Sequence, residues 1–97
     1  MTLPETMTLK DTLRIPDSVA ARKIGDDTIM LNLETGTYYG LDNVGSRFLE
    51  LLERNGEIAV AHLTLLKEFD VNPEILEADI LRLSEEMRSK GLLEVVS

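Results

Sequence analysis

The 97 residues amount to one domain, and their 43% apolar content is enough for a single compact core. The chain has no cysteine, which excludes a disulfide framework and thiolate chemistry, and no apolar run reaches the roughly 18 residues a membrane span needs. Eighteen acidic against ten basic side chains give −8, with −6 of it in residues 48–97; duplex binding needs Lys and Arg to displace counterions, so nucleic acid is not an expected partner.

Met1 to Asp11 reads as a flexible lead-in. It lacks the basic start and apolar stretch of a signal peptide, so the expected location is cytoplasmic. The folded domain is expected over residues 12–97. Lys10 to Ile15 is a candidate strand that Pro16 stops or leaves at an edge. In Ser18 to Ile24, a second candidate, Val19, Ala21 and Lys23 alternate with Ala20, Arg22 and Ile24.

Thr28 to Leu33 is the clearest strand. Ile29, Leu31 and Leu33 share one face at period two, and Asn32 and Glu34 lie on the other. Glu34-Thr35-Gly36 predicts a tight turn, and Thr37-Tyr38-Tyr39-Gly40-Leu41 returns as the partner strand. Gly40 interrupts its side-chain cover, the mark of a bulge or of another backbone passing close.

From Asp42 the apolar period becomes helical. Asp42 or Asn43 caps a first helix carrying Val44, Phe48, Leu51 and Leu52 at i, i+4, i+7 and i+8, and Asn55-Gly56 ends it. Ile58 to Phe69 predicts a second helix with Ile58, Ala61, Leu65, Leu66 and Phe69 inward. Asn72 caps the third, with Pro73 at its first position. There Leu76, Ile80, Leu83 and Met87 form a seam, Gly91 closes the helix, and Leu92 to Val96 is an apolar tail able to pack back. Strands grouped ahead of helices indicate α+β, with the parts list of a winged helix-turn-helix: an N-terminal three-stranded antiparallel sheet, then three helices.

Catalytic groups are sparse. His62 stands alone, without a Ser or Cys in an elbow motif beside it. Asp26-Asp27 and Glu85-Glu86 are adjacent in sequence and read as turn and surface charge rather than a metal site. The glycines form no phosphate loop. An enzyme, a cofactor and a metal are therefore not expected.

Leu31 to Asp42, reading Leu-Asn-Leu-Glu-Thr-Gly-Thr-Tyr-Tyr-Gly-Leu-Asp, resembles the hairpin of PqqD-like proteins, where a tyrosine-bearing strand runs into a helix. Phe48-Leu49-Glu50-Leu51-Leu52, the Phe69-Asp70-Val71 turn, Asp79 and Lys90-Gly91-Leu92-Leu93 agree in order and spacing, so the resemblance covers about residues 18–96. It implies a precursor-peptide recognition element, the leader-binding module of pathways that make modified ribosomal peptides. In that family the leader adds as a strand beside the third strand, in a groove completed by the third helix. Carried onto this chain, the implied peptide-binding residues are Thr37, Tyr38, Tyr39, Gly40 and Leu41, with Leu76, Asp79, Ile80, Leu83 and Met87.

A free-standing copy of this size resembles the leader-binding partners of lasso-peptide leader proteases. The long arginine-rich start associated with PqqD itself, which serves a radical SAM enzyme, is lacking. The expected partners are a precursor leader peptide and a separate leader protease or modifying enzyme, with the chain a monomer or weak dimer. The alternatives are a PqqD-like chaperone for a radical enzyme, a winged-helix transcription factor, and an interaction subunit that dimerises through its open strand. Five acids against three bases in Pro73 to Lys90 count against the transcription factor.

Overall fold

Local chemistry sets most of the element boundaries in the computed structural model, which describes residues 7–96. The order is β1 (Thr12–Arg14), β2 (Val19–Ile24), β3 (Asp27–Asn32), β4 (Tyr38–Leu41), α1 (Asn43–Asn55), α2 (Ile58–Glu68), α3 (Pro73–Ser89) and β5 (Glu94–Val96). Strands β2, β3 and β4 form an antiparallel sheet in that order, so β4 is an edge. The architecture is α+β, a three-stranded sheet followed by three helices. The Lys10 to Ile15 candidate contracts to Thr12–Arg14 and stays out of this sheet. It pairs instead with β5, the packed-back apolar tail.

Helices α1 and α3 each start on a side-chain cap readable beforehand. The Asp42 carboxylate accepts from the Gly45 amide at 2.9 Å, and Asn72 Oδ1 accepts from Glu74 and Ile75 at 2.9 and 3.1 Å. At the far end of α1, Gly56 adopts φ 70°, and a Cβ placed there would come within 2.6 Å of the Leu13 carbonyl oxygen. That close approach lets the Gly56 carbonyl accept from Leu13 N–H at 2.8 Å, fixing β1 against α1. Gly56→Ala is expected to lower stability by at least about 1–2 kcal/mol, the left-handed cost alone. Backbone overlap adds to this, and a denaturant titration of the two proteins measures it.

Phe48, Met30, Ile58, Leu65, Met87 and Leu92 are fully buried where the sheet, α1, α2 and α3 meet. Each such side chain contributes about 1.5–3 kcal/mol by leaving water. Ser46, His62 and Ser84 are buried among them. The Ser84 hydroxyl donates to the Ile80 carbonyl, and His62 Nε2 lies 3.1 Å from the Pro73 carbonyl, joining α2 to the start of α3. The lone histidine is thus a buried inter-helix contact, not a solvated side chain. Of the lead-in, Met7 is buried in the core and the Leu9 carbonyl accepts from Ala59 N–H. Residues 1–6 lie outside the described residues.

The period of β3 is as expected, but its buried face is the one carrying Thr28, Met30 and Asn32. Ile29 is 42% exposed, and Leu33, just past the strand, is 65% exposed. The buried polar face is tolerated because Asn32 is fully engaged. Its Nδ2 donates to the Gly91 carbonyl at 3.0 Å, and its Oδ1 accepts from the Glu34 and Thr35 amides. Ile24, Ile29, Leu33 and Tyr38 consequently lie exposed on the outer side of the sheet.

Candidate peptide-binding site

The register of β4 determines which backbone groups it leaves unpaired. Asn32 N–H donates to the Thr37 carbonyl at 2.8 Å, and Thr28, Ile29, Met30 and Leu31 pair with Leu41, Gly40, Tyr39 and Tyr38. Hydrogen-bonded and non-bonded pairs alternate along an antiparallel ladder. Tyr39 and Leu41 therefore bond to β3, and the N–H and C=O of Tyr38 and Gly40 point outward along the open edge. Such an edge is a template for another strand.

Side chains alternate in the opposite sense. Tyr39 and Leu41 face α3, and Tyr38 projects from the outer face, 74% exposed. Pairing is regular through Gly40, with no bulge, and a Cβ there would meet nothing within 4 Å. The expected close approach of another backbone is not found among the described residues, and what residue 40 presents at the open edge is its backbone N–H and C=O.

Between this edge and α3 lies a cavity of about 420 Å³. Seven of the ten implied residues line at least part of it: Tyr39, Gly40, Leu41, Leu76, Asp79, Ile80 and Leu83. The other three stand elsewhere. Met87 is fully buried core, Tyr38 contributes backbone to the edge while its side chain points away, and Thr37 belongs to the turn, its N–H donating to Thr35 Oγ1. Asp42, Val44, Gly45, Val71, Ile75 and Arg82 also line the cavity. Ile75, Asp79, Arg82 and Glu86 follow the helical spacing one position N-terminal to the apolar seam, and that offset is the signal that locates the row.

A larger cleft, about 650 Å³, lies between Met7 and Thr8, the end of α3, and β5. Asp11, Glu85, Arg88 and Glu94 wall it, and the free edge of the three-stranded sheet is not part of it. The smaller cavity combines unpaired backbone with apolar walls, which is what an extended peptide requires.

The two ends of the cavity differ in chemistry. Toward the end of α3 the Tyr39 hydroxyl donates to the Glu86 carboxylate, which also pairs with Arg82 at 3.3 Å. That hydrogen bond holds the Tyr39 phenol above its ordinary value and the Glu86 carboxyl below the usual carboxylate range. Toward the start of α3 the walls are Leu41, Val44, Val71, Ile75 and Leu76.

Behind the sheet, Arg47 grips Glu68 with two bonds of 2.8 Å and Glu50 at 3.0 Å, and Lys23 reaches Glu50 at 2.7 Å. These cations hold both carboxyls below the usual range. A carboxylate with a depressed folded pKa stabilises above its unfolded value and loses that contribution as the pH falls through the folded one. Thermal stability is therefore expected to be flat from pH 7 to about 5 and to drop below about pH 4. The drop should be smaller in 0.5 M salt because the pairs are exposed. Melting curves across that range check it.

The family model described as Coenzyme PQQ synthesis protein D (PqqD) matches residues 27–93. Among solved structures the chain is similar to "TbiB1 in Complex with the TbiA(beta) Leader Peptide", with a TM-score of 0.79 and 34% sequence identity, covering 87% of this chain and 98% of that one. A search of curated proteins found no match.

Proposed function

The chain belongs to the PqqD family, and from that premise we propose that it binds the leader region of a ribosomally synthesised precursor peptide by strand addition at β4. It presents that peptide to a separate leader protease or modifying enzyme, in lasso-peptide biosynthesis. The observation that carries the reading is the coincidence of the Tyr38 and Gly40 backbone, unpaired among the described residues, with the apolar cavity between β4 and α3. Up to four backbone hydrogen bonds, at about 1 kcal/mol net each, do not offset the ordering of a flexible peptide. Side chains must add to them. In an antiparallel added strand, residues opposite Tyr39 and Leu41 project into the cavity, so the leader carries apolar groups two positions apart.

TbiB1 is in complex with the TbiA(beta) leader peptide, and the likeness supports the same ligand class here. The reaction belongs to the partner enzyme; this chain supplies affinity and raises the peptide's effective concentration near that enzyme. An adaptor needs a second surface, and the exposed apolar outer side of the sheet, Ile24, Ile29, Leu33 and Tyr38, is available for the enzyme while β4 holds the leader.

Fluorescence anisotropy with a labelled TbiA(beta) leader peptide, and with leader segments of precursors encoded beside this chain, tests the reading. Saturable binding at micromolar concentration or tighter supports it. Absence of binding to all of them overturns it.

A further inference from the structure

We infer that Asn32 is a positioning residue of the peptide groove, a role that rests on the reading of β4 and α3 as its walls. Asn32 touches neither the open edge nor the cavity. It sits at the end of β3, 6% exposed, and links the two walls from behind. Its Nδ2 donates to the Gly91 carbonyl just beyond α3, and its Oδ1 accepts from the Glu34 and Thr35 amides in the turn that carries β4. Its backbone is engaged as well, with N–H donating to Thr37 and C=O accepting from Gly36.

Gly91 has φ 73°, and a Cβ there would stand 2.9 Å from Asn32 Nδ2, so a larger residue at 91 would displace the Asn32 amide. Tyr39 to Glu86 is a second polar tie between the same walls. Both ties lie toward the C-terminal end of α3, whereas the α3 residues that line the cavity run from Ile75 to Leu83. The hairpin is thus fixed at one end, and the Asn32 tie sets how far β4 stands from the row Ile75, Asp79 and Arg82. Releasing it lets the hairpin swing and degrades the groove while Gly40, Leu41 and Ile75 remain in place chemically.

Two variants separate the tie from the turn. Asn32→Ser keeps an acceptor for the turn amides but is too short to reach Gly91. Asn32→Asp keeps the shape and the acceptor, and regains a donor when its carboxyl is protonated. With labelled TbiA(beta) leader peptide as the probe, Asn32→Ser is expected to weaken binding at least 10-fold, through faster dissociation, while staying folded at the assay temperature. Asn32→Asp, which turns a carboxylate oxygen toward the Gly91 carbonyl in place of the amide donor, is also expected to bind poorly. Without peptide, the tyrosine ultraviolet titration reports the groove directly. Tyr39 is expected to ionise above the ordinary tyrosine range in the unmodified chain, because of its bond to Glu86, and to move back toward that range in Asn32→Ser.

Unchanged leader affinity in a folded Asn32→Ser protein whose Tyr39 titration has moved overturns the positioning role, with the peptide reading intact. An unmodified chain that binds neither this probe nor the leader segments encoded beside it overturns the peptide reading, and this role with it, whatever Tyr39 does.

Discussion

Gly40→Pro is expected to weaken leader binding about 100-fold or more, some 3 kcal/mol, while the protein remains folded. The Gly40 N–H points away from β3, so proline removes no hydrogen bond of the folded chain. It deletes one of two outward amides on the docking edge and puts a ring where the incoming strand's carbonyl must come. Tyr39, the preceding residue, is already extended, the conformation proline requires of its neighbour. The cost to stability is the adjustment of one edge residue, expected to be about 1 kcal/mol. Gly40→Ala is the control. Its methyl meets nothing within 4 Å and its amide is retained, so affinity and melting temperature are expected to stay near those of the unmodified chain. Calorimetric titration with the leader peptide, alongside melting curves, separates the cases. Equal binding by the proline variant would move the site away from β4.

Much of the fold around the candidate site is legible in the sequence because it rests on local chemistry. Asp42, Asn72 with Pro73, and Gly91 mark helix ends through short-range bonds or a backbone sign, and the structure places the elements there. The Leu76, Ile80 and Met87 seam is buried as its spacing requires. The choice of face in β3 was not legible. Met30 stands between Ile29 and Leu31, so apolar content favours the wrong side. What decides it is a contact 59 residues away, Asn32 to Gly91, that no period contains. The three-residue strands β1 and β5 likewise find each other across most of the chain. In the groove, the seam identified α3 but not its neighbouring row. Ile75 and Arg82 were missed because a residue lining an open cavity alternates between apolar and charged according to ligand chemistry, not burial. Met87, which the resemblance implies for the groove, lies in the core because seam and groove share a helix and only depth separates them.

That difference in depth yields the second large effect, a contrast between two isoleucines five residues apart on α3. Both line the cavity, yet Ile80 is 2% exposed and Ile75 is 62% exposed. Ile80→Asp removes a packed side chain, about 2–5 kcal/mol, and leaves a carboxylate without a cation in a closed core, several kcal/mol more. Domains of this kind are stable by about 5–15 kcal/mol in all. The variant is therefore expected to be largely unfolded at 25 °C, visible as loss of cooperative melting and of near-ultraviolet signal. Ile75→Asp faces water at the mouth of the cavity, in the first turn of α3, where a carboxylate suits the helix N-terminus. Its melting temperature is expected to change little. Its leader affinity is expected to fall about 5- to 30-fold, since about 1–2 kcal/mol of apolar contact is lost from the peptide's side. A folded Ile75→Asp protein with undiminished affinity would show that the leader does not reach the N-terminal end of α3, and the groove would then have to end at Leu83.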